Sequence, residues 1–435
     1  MTRAKQDSCD VAIIGAGMAG MAAALFAAER GLSCILVGNG GSLLFASGLL
    51  DLLGVHPVAE RRRWRLPYDA LVALAREEPL HPLARINAVS IRSAFQSFVA
   101  ALGAAGLRYA PLGERNRNVL TSIGTIKATH GVPISMIAGA DLLDALDARP
   151  SCLLVDFRGL REFSAAQIAA TLGDRWPRLR HQRIEFPGYE AAAELYAAHL
   201  ARALETGKTR ERTIALVKPL LGDARAVGLP AVLGLARAGE VHAAFEAGLG
   251  VPVFEIPTMP TSVPGLRLLA ALEAAVSARG VRRRHHATVR ALAFDGEGGT
   301  ATLALDGAAG GVRARAVVLA TGRFTGRGLT ADRRQIRESI LGIPVHQPGS
   351  REFWHQRDFL DASGHAINRA GLLVDEAWRP LDAGGEPFWP RLYAVGSILA
   401  HQDWMREKCG SGLAISTAWA AMQHVARQLR GTAAG

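Results

Sequence analysis

The sequence predicts an α/β protein of two domains. One is a discontinuous Rossmann-like domain made of residues 1–110 and 260–435, and the other is an α/β domain, residues 111–259, inserted into it. Three observations carry this expectation. An apolar strand runs through a G-x-G-x-x-G turn into a helix at Asp10 to Gly20 (DVAIIGAGMAG), a second apolar strand ends Ala320-Thr321-Gly322, and a late strand, Leu392 to Gly396, precedes a long helical run. A chain of 435 residues also exceeds the ~250–300 residues at which single cores stop growing.

The first strand and turn place free backbone N–H groups and the positive end of a helix where a phosphate can sit. In that motif Gly15 makes the tight turn, Gly17 admits the phosphate and Gly20 lets the helix pack on the strand. The next strand, Cys34 to Val37, ends Gly38-Asn39-Gly40-Gly41-Ser42 without the carboxylate that holds an adenosine ribose. This absence favours FMN over FAD, although Asn39 could reach a ribose.

Leu43 to Gly54 is apolar and broken by Ser47-Gly48, read either as a contact of the bound ring system or as a buried turn. Helical patterns follow near Tyr68 to Arg76 and Arg85 to Leu102. In the middle of the chain, Cys152 to Phe157, Ile184 to Phe186 and Val251 to Ile256 read as strands, and Ser164 to Leu172 and Tyr189 to Leu204 as helices. The Rossmann-like pattern resumes with an amphipathic helix at Leu266 to Ala278, a strand starting at Gly280-Val281, and a meander of Val289 to Phe294 and Ala301 to Leu305 that returns through Ala316 to Gly322. There Gly322 turns the chain beside the cofactor. Gly396 and Ser397 approach its ribityl and phosphate groups, and Gly410 and Gly412 open the last helix, Ile415 to Leu429, whose N-terminus suits the flavin pyrimidine oxygens. The three signals in this order predict a flavoprotein.

Composition narrows the class further. The formal net charge of +11 is carried mostly by arginines spread along the chain, with clusters at Arg61-Arg62-Arg63-Trp64-Arg65 and Arg282-Arg283-Arg284-His285-His286. Neither cluster continues into aromatic-interleaved basic strands, so nucleic-acid binding is not expected. Cys9, Cys34, Cys152 and Cys409 are far apart with no C-x-x-C pair, which excludes the usual iron–sulfur and zinc spacings and suits a reducing, cytoplasmic setting. The short polar start, Met1 to Ser8, is no secretory signal, and no apolar stretch reaches the ~18 residues of a membrane span.

The blocks Ala12 to Gly20, Ser47 to Leu53 (SGLLDLL), Ile256 to Leu268 (IPTMPTSVPGLRL), Ile336 to Ile343 and Leu392 to Ser397 resemble the B subunit of anaerobic glycerol-3-phosphate dehydrogenase over nearly the whole chain. The resemblance implies a flavin subunit, assigned FMN, that works with a larger FAD-containing catalytic subunit and a membrane-associated iron–sulfur subunit. It implies oxidation of sn-glycerol 3-phosphate to dihydroxyacetone phosphate, electrons passing to quinone, and a cytoplasmic protein held peripherally at the membrane through a partner. Cys409-Gly410-Ser411-Gly412 departs from the family's Cys-Gly-Gly-Gly.

If the chain itself oxidises the substrate, a base must take the hydroxyl proton while a hydride leaves carbon 2. His346 and His401 flank the expected flavin site and are the candidates, each with an ordinary hydrogen-bonding role as the alternative. Thr261, Ser262 and Arg267 open a helix and read either as a substrate-phosphate site or as an N-cap followed by a structural ion pair. Two other classes remain open: a non-catalytic FMN electron-transfer and docking subunit, and a stand-alone flavin dehydrogenase or reductase of the fumarate reductase type.

Overall fold

The computed structural model describes residues 7–145, 150–296, 299–306 and 311–431, so most of the polar N-terminal segment lies outside the described residues. The chain divides into two compact units. The first takes Met1–Ser42, Asp51–Ala101 and Leu272–Gly435, and the second takes Leu43–Leu50 and Leu102–Ala271. These boundaries differ from the expected breaks at 110/111 and 259/260. The segment 43–50 joins the second unit because Leu50 and Gly131 exchange backbone hydrogen bonds of 2.9 and 2.8 Å.

With elements numbered along the chain, the first unit begins β1 (Asp7–Ile14), α1 (Met18–Glu29), β2 (Cys34–Val37) and α2 (Pro67–Glu77), and α3 (Ala88–Ala104) runs across its boundary. Later come β9 (Arg282–Arg284), β10 (Thr288–Phe294), β11 (Ala301–Asp306), β12 (Val312–Leu319) and β17 (Leu392–Ala394). The sheet order is β10-β11-β12-β1-β2-β9, and β17 pairs with β12. β12, β1, β2, β9 and β17 are mutually parallel, while β10 and β11 form the antiparallel meander on β12. Strands covered on both faces read as continuous apolar runs: Val11 to Ile14, Cys34 to Val37 and Ala316 to Leu319 are all buried. So is α1 from Ala19 to Ala27, packed against α11 (Gly410–Gly431). Two small hairpins, β13–β14 (Leu329–Ala331, Ile336–Glu338) and β15–β16 (Val345–His346, Gly371–Leu372), and the single turn α10 (Trp404–Glu407) complete this unit.

The second unit carries a hairpin, β3–β4 (Arg117–Leu120, Ile126–Thr129), and a four-stranded sheet of β5 (Cys152–Phe157), β6 (Leu179–Ile184), β7 (Ala226–Pro230) and β8 (Val253–Ile256). All four strands are parallel in the order β6-β5-β7-β8, and α4 (Ile134–Asp144), α5 (Ala165–Leu172), α6 (Ala197–Leu204), α7 (Gly207–Val217) and α8 (Ala238–Leu249) belong to the same unit. α9 (Val263–Ala278) begins in this unit and ends in the first. The strand expected at Ile184 to Phe186 lies instead at Leu179–Ile184, a half-exposed edge strand whose polar residues conceal it. The helix expected from Tyr189 begins only at Ala197, after turns around Gly188. Strand β7 is not evident from the sequence because it contains Gly228. A side chain there would come within 2.5 Å of Leu154 and 2.7 Å of the Phe254 ring, so the glycine is required by packing in a strand it weakens.

Candidate functional site

The first unit gathers most of the expected cofactor residues at the carboxyl ends of its parallel strands, where α/β sheets take their ligands. Gly15 leaves β1 at φ +107°, and its N–H donates to the Val37 carbonyl at 2.8 Å. A Cβ on Gly15 would strike the Ala320 carbonyl, and one on Gly20 would strike the carbonyl of Gly15. Both glycines are therefore demanded by the backbone. Gly17 is different: its φ is −74°, and a Cβ there would meet only the Ser42 hydroxyl, at 3.2 Å. Gly17 caps α1 without a side-chain hydrogen bond, and the first turn holds no acidic residue. The result is an uncapped helix N-terminus facing a space that a side chain would fill, which fits a phosphate.

Around this turn stand Gly396 (φ +78°) and Gly322 (φ +68°). A Cβ on Gly396 would lie 2.5 Å from that of Ala19, and one on Gly322 would lie 3.7 Å from the Ser397 hydroxyl. Helix α11 begins at Gly410 and not at Ile415, so Gly410 and Gly412 are in its first turn. Thr417 of α11 accepts the Gly396 N–H at 2.9 Å, and the Gly412 N–H donates to the Asp51 carbonyl at 2.6 Å. Beside Gly322, Thr321 Oγ1 and Arg323 Nε are buried without a partner, as polar groups kept for a bound polar ligand would be. These features together fit a flavin.

Asn39 ends β2 where a ribose carboxylate would stand. Its Oδ1 already accepts the His286 N–H at 2.9 Å, which uses one of its two lone pairs. The basic run at 282–284 forms β9, beside β2, and is ion-paired there: Arg282 and Arg284 share Asp7, and Arg283 pairs with Glu273.

Next to α11 is a group that sequence reasoning misses. His81, Glu407 and Cys409 are buried with their ligand atoms within 4.8 Å of one another. His81 Nδ1 accepts the Leu83 N–H at 3.0 Å, so its proton sits on Nε2 and donates to Glu407 Oε2 at 3.1 Å. Cys409 Sγ donates to the same oxygen at 3.2 Å. Burial acts to raise the Glu407 carboxyl, but His81 and the thiol hold it below the usual range, and burial together with Glu407 pushes the thiol far up. Three groups of metal-ligand type thus form a hydrogen-bonded carboxylate site, in which the imidazole and the thiol keep their protons. His81 and Cys409 are separated by more than three hundred residues, and no local spacing announces them.

A cavity of about 230 Å3 adjoins this network, with Gln356, Ser363, His365, Arg369, Asp403 and Glu407 in its wall. Nearby, the rings of His346 and His401 lie 4.4 Å apart. His401 occupies φ +65°, its N–H donates to the Arg369 carbonyl at 2.9 Å, and its own carbonyl accepts from Arg369. Burial, with help from His346 and Arg369, depresses the His401 imidazole to about 4. No carboxylate among the described residues hydrogen-bonds to either ring as an orienting partner.

Ser47, Gly48, Thr261, Ser262 and Arg267 belong to the second unit. Ser47 Oγ accepts the Leu49 N–H at 3.4 Å, and the Gly48 carbonyl accepts the Tyr109 hydroxyl at 2.6 Å. Ser262 Oγ accepts the Gly265 N–H at 3.1 Å and donates to the Ala46 carbonyl at 2.7 Å, the work of an N-cap, while Thr261 is exposed. The substrate-phosphate expectation for Arg267 is corrected here. Its guanidinium is buried and engaged with both Glu255 oxygens, at 2.5 and 2.9 Å, and with the Gly234 carbonyl, so no fork is left for a phosphate.

Residues 10–413 match the family model described as FAD binding domain. Over 95% of this chain and 96% of the relative, the sequence is 34% identical to the probable B subunit of anaerobic glycerol-3-phosphate dehydrogenase from Halobacterium salinarum. It is 29% identical to the B subunit of anaerobic glycerol-3-phosphate dehydrogenase from Pectobacterium atrosepticum, over 97% of this chain and 98% of that one. Among solved structures, a 3-ketosteroid delta1-dehydrogenase from Sterolibacterium denitrificans aligns over 97% of this chain and 100% of its own at 14% identity, with a TM-score of 0.45.

Proposed function

We propose that this chain, which belongs to the family of B subunits of anaerobic glycerol-3-phosphate dehydrogenase, is the FMN-carrying subunit of a complex that oxidises sn-glycerol 3-phosphate to dihydroxyacetone phosphate and passes the electrons to quinone. The observation that carries the cofactor reading is the uncapped α1 N-terminus with its clear face at Gly17. FMN is favoured over FAD because no carboxylate follows β2 to hold an adenosine ribose. A larger FAD-containing subunit and an iron–sulfur subunit at the membrane are the proposed partners. The four cysteines here are buried, and burial pushes the Cys9 and Cys152 thiols up to about 12 and the Cys34 thiol further, the state of inert thiols.

When bound, the flavin supplies the hydride-accepting chemistry. The protein's part is to hold the phosphate on the N–H groups of α1, with the Ser42 hydroxyl beside Gly17. It presents Ser397, Thr321 and Arg323 as polar partners. His401, neutral at pH 7, has a ring nitrogen whose lone pair can take a proton. That no carboxylate among the described residues orients His346 or His401 favours a second reading, in which the chain carries electrons and another subunit oxidises the substrate.

Acid release of the cofactor from the purified chain, identified by mass, tests the first point: FMN is expected, and stoichiometric FAD overturns that choice. Anaerobic glycerol 3-phosphate then separates the two roles. Bleaching of the flavin in the isolated chain assigns the oxidation to it, and an unbleached flavin assigns electron transfer alone.

A further inference from the structure

The arginine cluster at 61–65 is not ion-paired as its counterpart in β9 is. Arg61, Arg62, Arg63 and Arg65 are exposed, and none has a carboxylate within ion-pair distance among the described residues; Arg62 lies over the Trp64 ring at 4.2 Å. They share a surface with two other turns. Arg61 donates to the Leu360 carbonyl at 3.4 Å, Arg406 donates to the Asp361 carbonyl, and the Gly54 and Val55 N–H groups donate to the Glu407 carbonyl at 3.0 and 2.9 Å. The two other turns display large apolar side chains to solvent: Phe359 is 85% exposed, Leu360 76% and Met405 60%, with Trp404 beside them. Arg357, beside the 359–361 turn in sequence, adds to the basic charge, and the exposed carboxylates adjoining these turns are Glu60 and Asp358, so the surface is net positive.

We propose that this surface docks on an anionic lipid bilayer. Phe359, Leu360, Met405 and Trp404 enter the headgroup region, while Arg61, Arg62, Arg63 and Arg65 pair with lipid phosphates. Protein hot spots are packed into fully desolvated pockets, whereas these side chains stand out from the tips of separate turns. Such a pattern suits a bilayer surface, which accepts protruding apolar groups without shape matching and draws basic groups by its surface charge. No helix among the described residues is long and apolar enough to cross a membrane, so the contact is interfacial. The inference goes beyond the dehydrogenase reading and does not depend on it.

Co-sedimentation of the flavin-loaded chain with vesicles provides the test. Binding is expected to vesicles of phosphatidylcholine with phosphatidylglycerol and not to phosphatidylcholine alone, and it should weaken as salt rises. Phe359→Asp with Leu360→Asp should abolish it, and each of Arg61→Gln, Arg62→Gln and Arg63→Gln should lower partitioning roughly fivefold. Retained flavin absorbance shows that these variants are folded, and Phe359→Ser serves in place of the double variant where it is not. No sedimentation with the anionic vesicles overturns the proposal, as does sedimentation that the variants leave unchanged. Capture of an acidic protein partner by this surface, with no vesicle binding, overturns it in favour of a protein interface.

Discussion

Glu255 and Arg267 form a buried ion pair in the second unit, with guanidinium-to-carboxylate distances of 2.5 and 2.9 Å. Glu255 Oε1 also accepts the Leu233 N–H at 2.7 Å, and Arg267 Nε donates to the Gly234 carbonyl at 2.9 Å. The carboxylate at the end of β8 thus ties α9 to the turn after β7. Burial alone would raise the Glu255 carboxyl, but Arg267 outweighs it and holds the group below the usual range.

Arg267→Met should therefore destabilise the protein by about 3–5 kcal/mol, because it leaves the Glu255 charge buried and unpaired. Arg267→Lys should lose part of this through the missing planar fork. Thermal unfolding of the flavin-loaded protein measures the loss. KM for glycerol 3-phosphate in the assembled enzyme should stay unchanged for Arg267→Lys, and a tenfold rise in KM with an unaltered melting temperature would restore the phosphate-site reading.

The glycines of the phosphate turn should separate by consequence. Gly17→Val leaves the backbone unstrained, so the chain should fold and lose its flavin. Gly15→Ala must place a side chain at φ +107° against the Ala320 carbonyl, so it should lower the stability of the apoprotein itself. Flavin content and apoprotein melting temperature on the two variants check the contrast. Equal flavin retention in Gly17→Val would remove the phosphate from this turn.

How much of this was legible depended on range. The βαβ opening, the return strand to Gly322 and the strand to Gly396 are local patterns, each modest singly and informative in their order, and the structure sets them side by side. Strand β7 was hidden because its Gly228 obeys the Leu154 and Phe254 side chains instead of strand propensity. The ambiguity at Ser262 and Arg267 was real, since a hydroxyl and an arginine at a helix start serve a ligand or the fold equally well. Only the position of Glu255 decides between them. His81 and Glu407 were invisible for the same reason, being 326 residues apart in sequence and 3.1 Å apart in space.

That pair carries its own expectation. Glu407→Gln should cost about 1–3 kcal/mol, because the His81 N–H and the Cys409 S–H lose a charged acceptor where water cannot replace it. Since His81 Nε2 bears its proton, a chelator should leave the melting temperature unchanged, and added Zn2+ should not raise it. Stoichiometric metal found by elemental analysis, released with a drop in stability, would show instead that the three side chains are ligands.

His401 sets a pH dependence whose sign follows from its environment. Unfolded, the imidazole titrates near its ordinary 6.5; folded, burial first and then His346 and Arg369 bring it down to about 4. Between these values the unfolded chain binds more protons, so acid favours unfolding across this window, and above it the group contributes nothing. The imidazole is partly open to solvent, which limits the size of the effect without changing its direction. Asn tolerates the φ of +65° found here, so His401→Asn should keep the backbone while removing the titration. The melting temperature of the wild type should then fall more steeply than that of His401→Asn between pH 6.5 and 4, and the two should run parallel between pH 7 and 8. Glu407 titrates in both proteins and cancels from the comparison. Parallel curves across the acid window would mean that the imidazole is as easily protonated in the folded chain as in the unfolded one, and would remove His401 as a group held neutral beside the cavity.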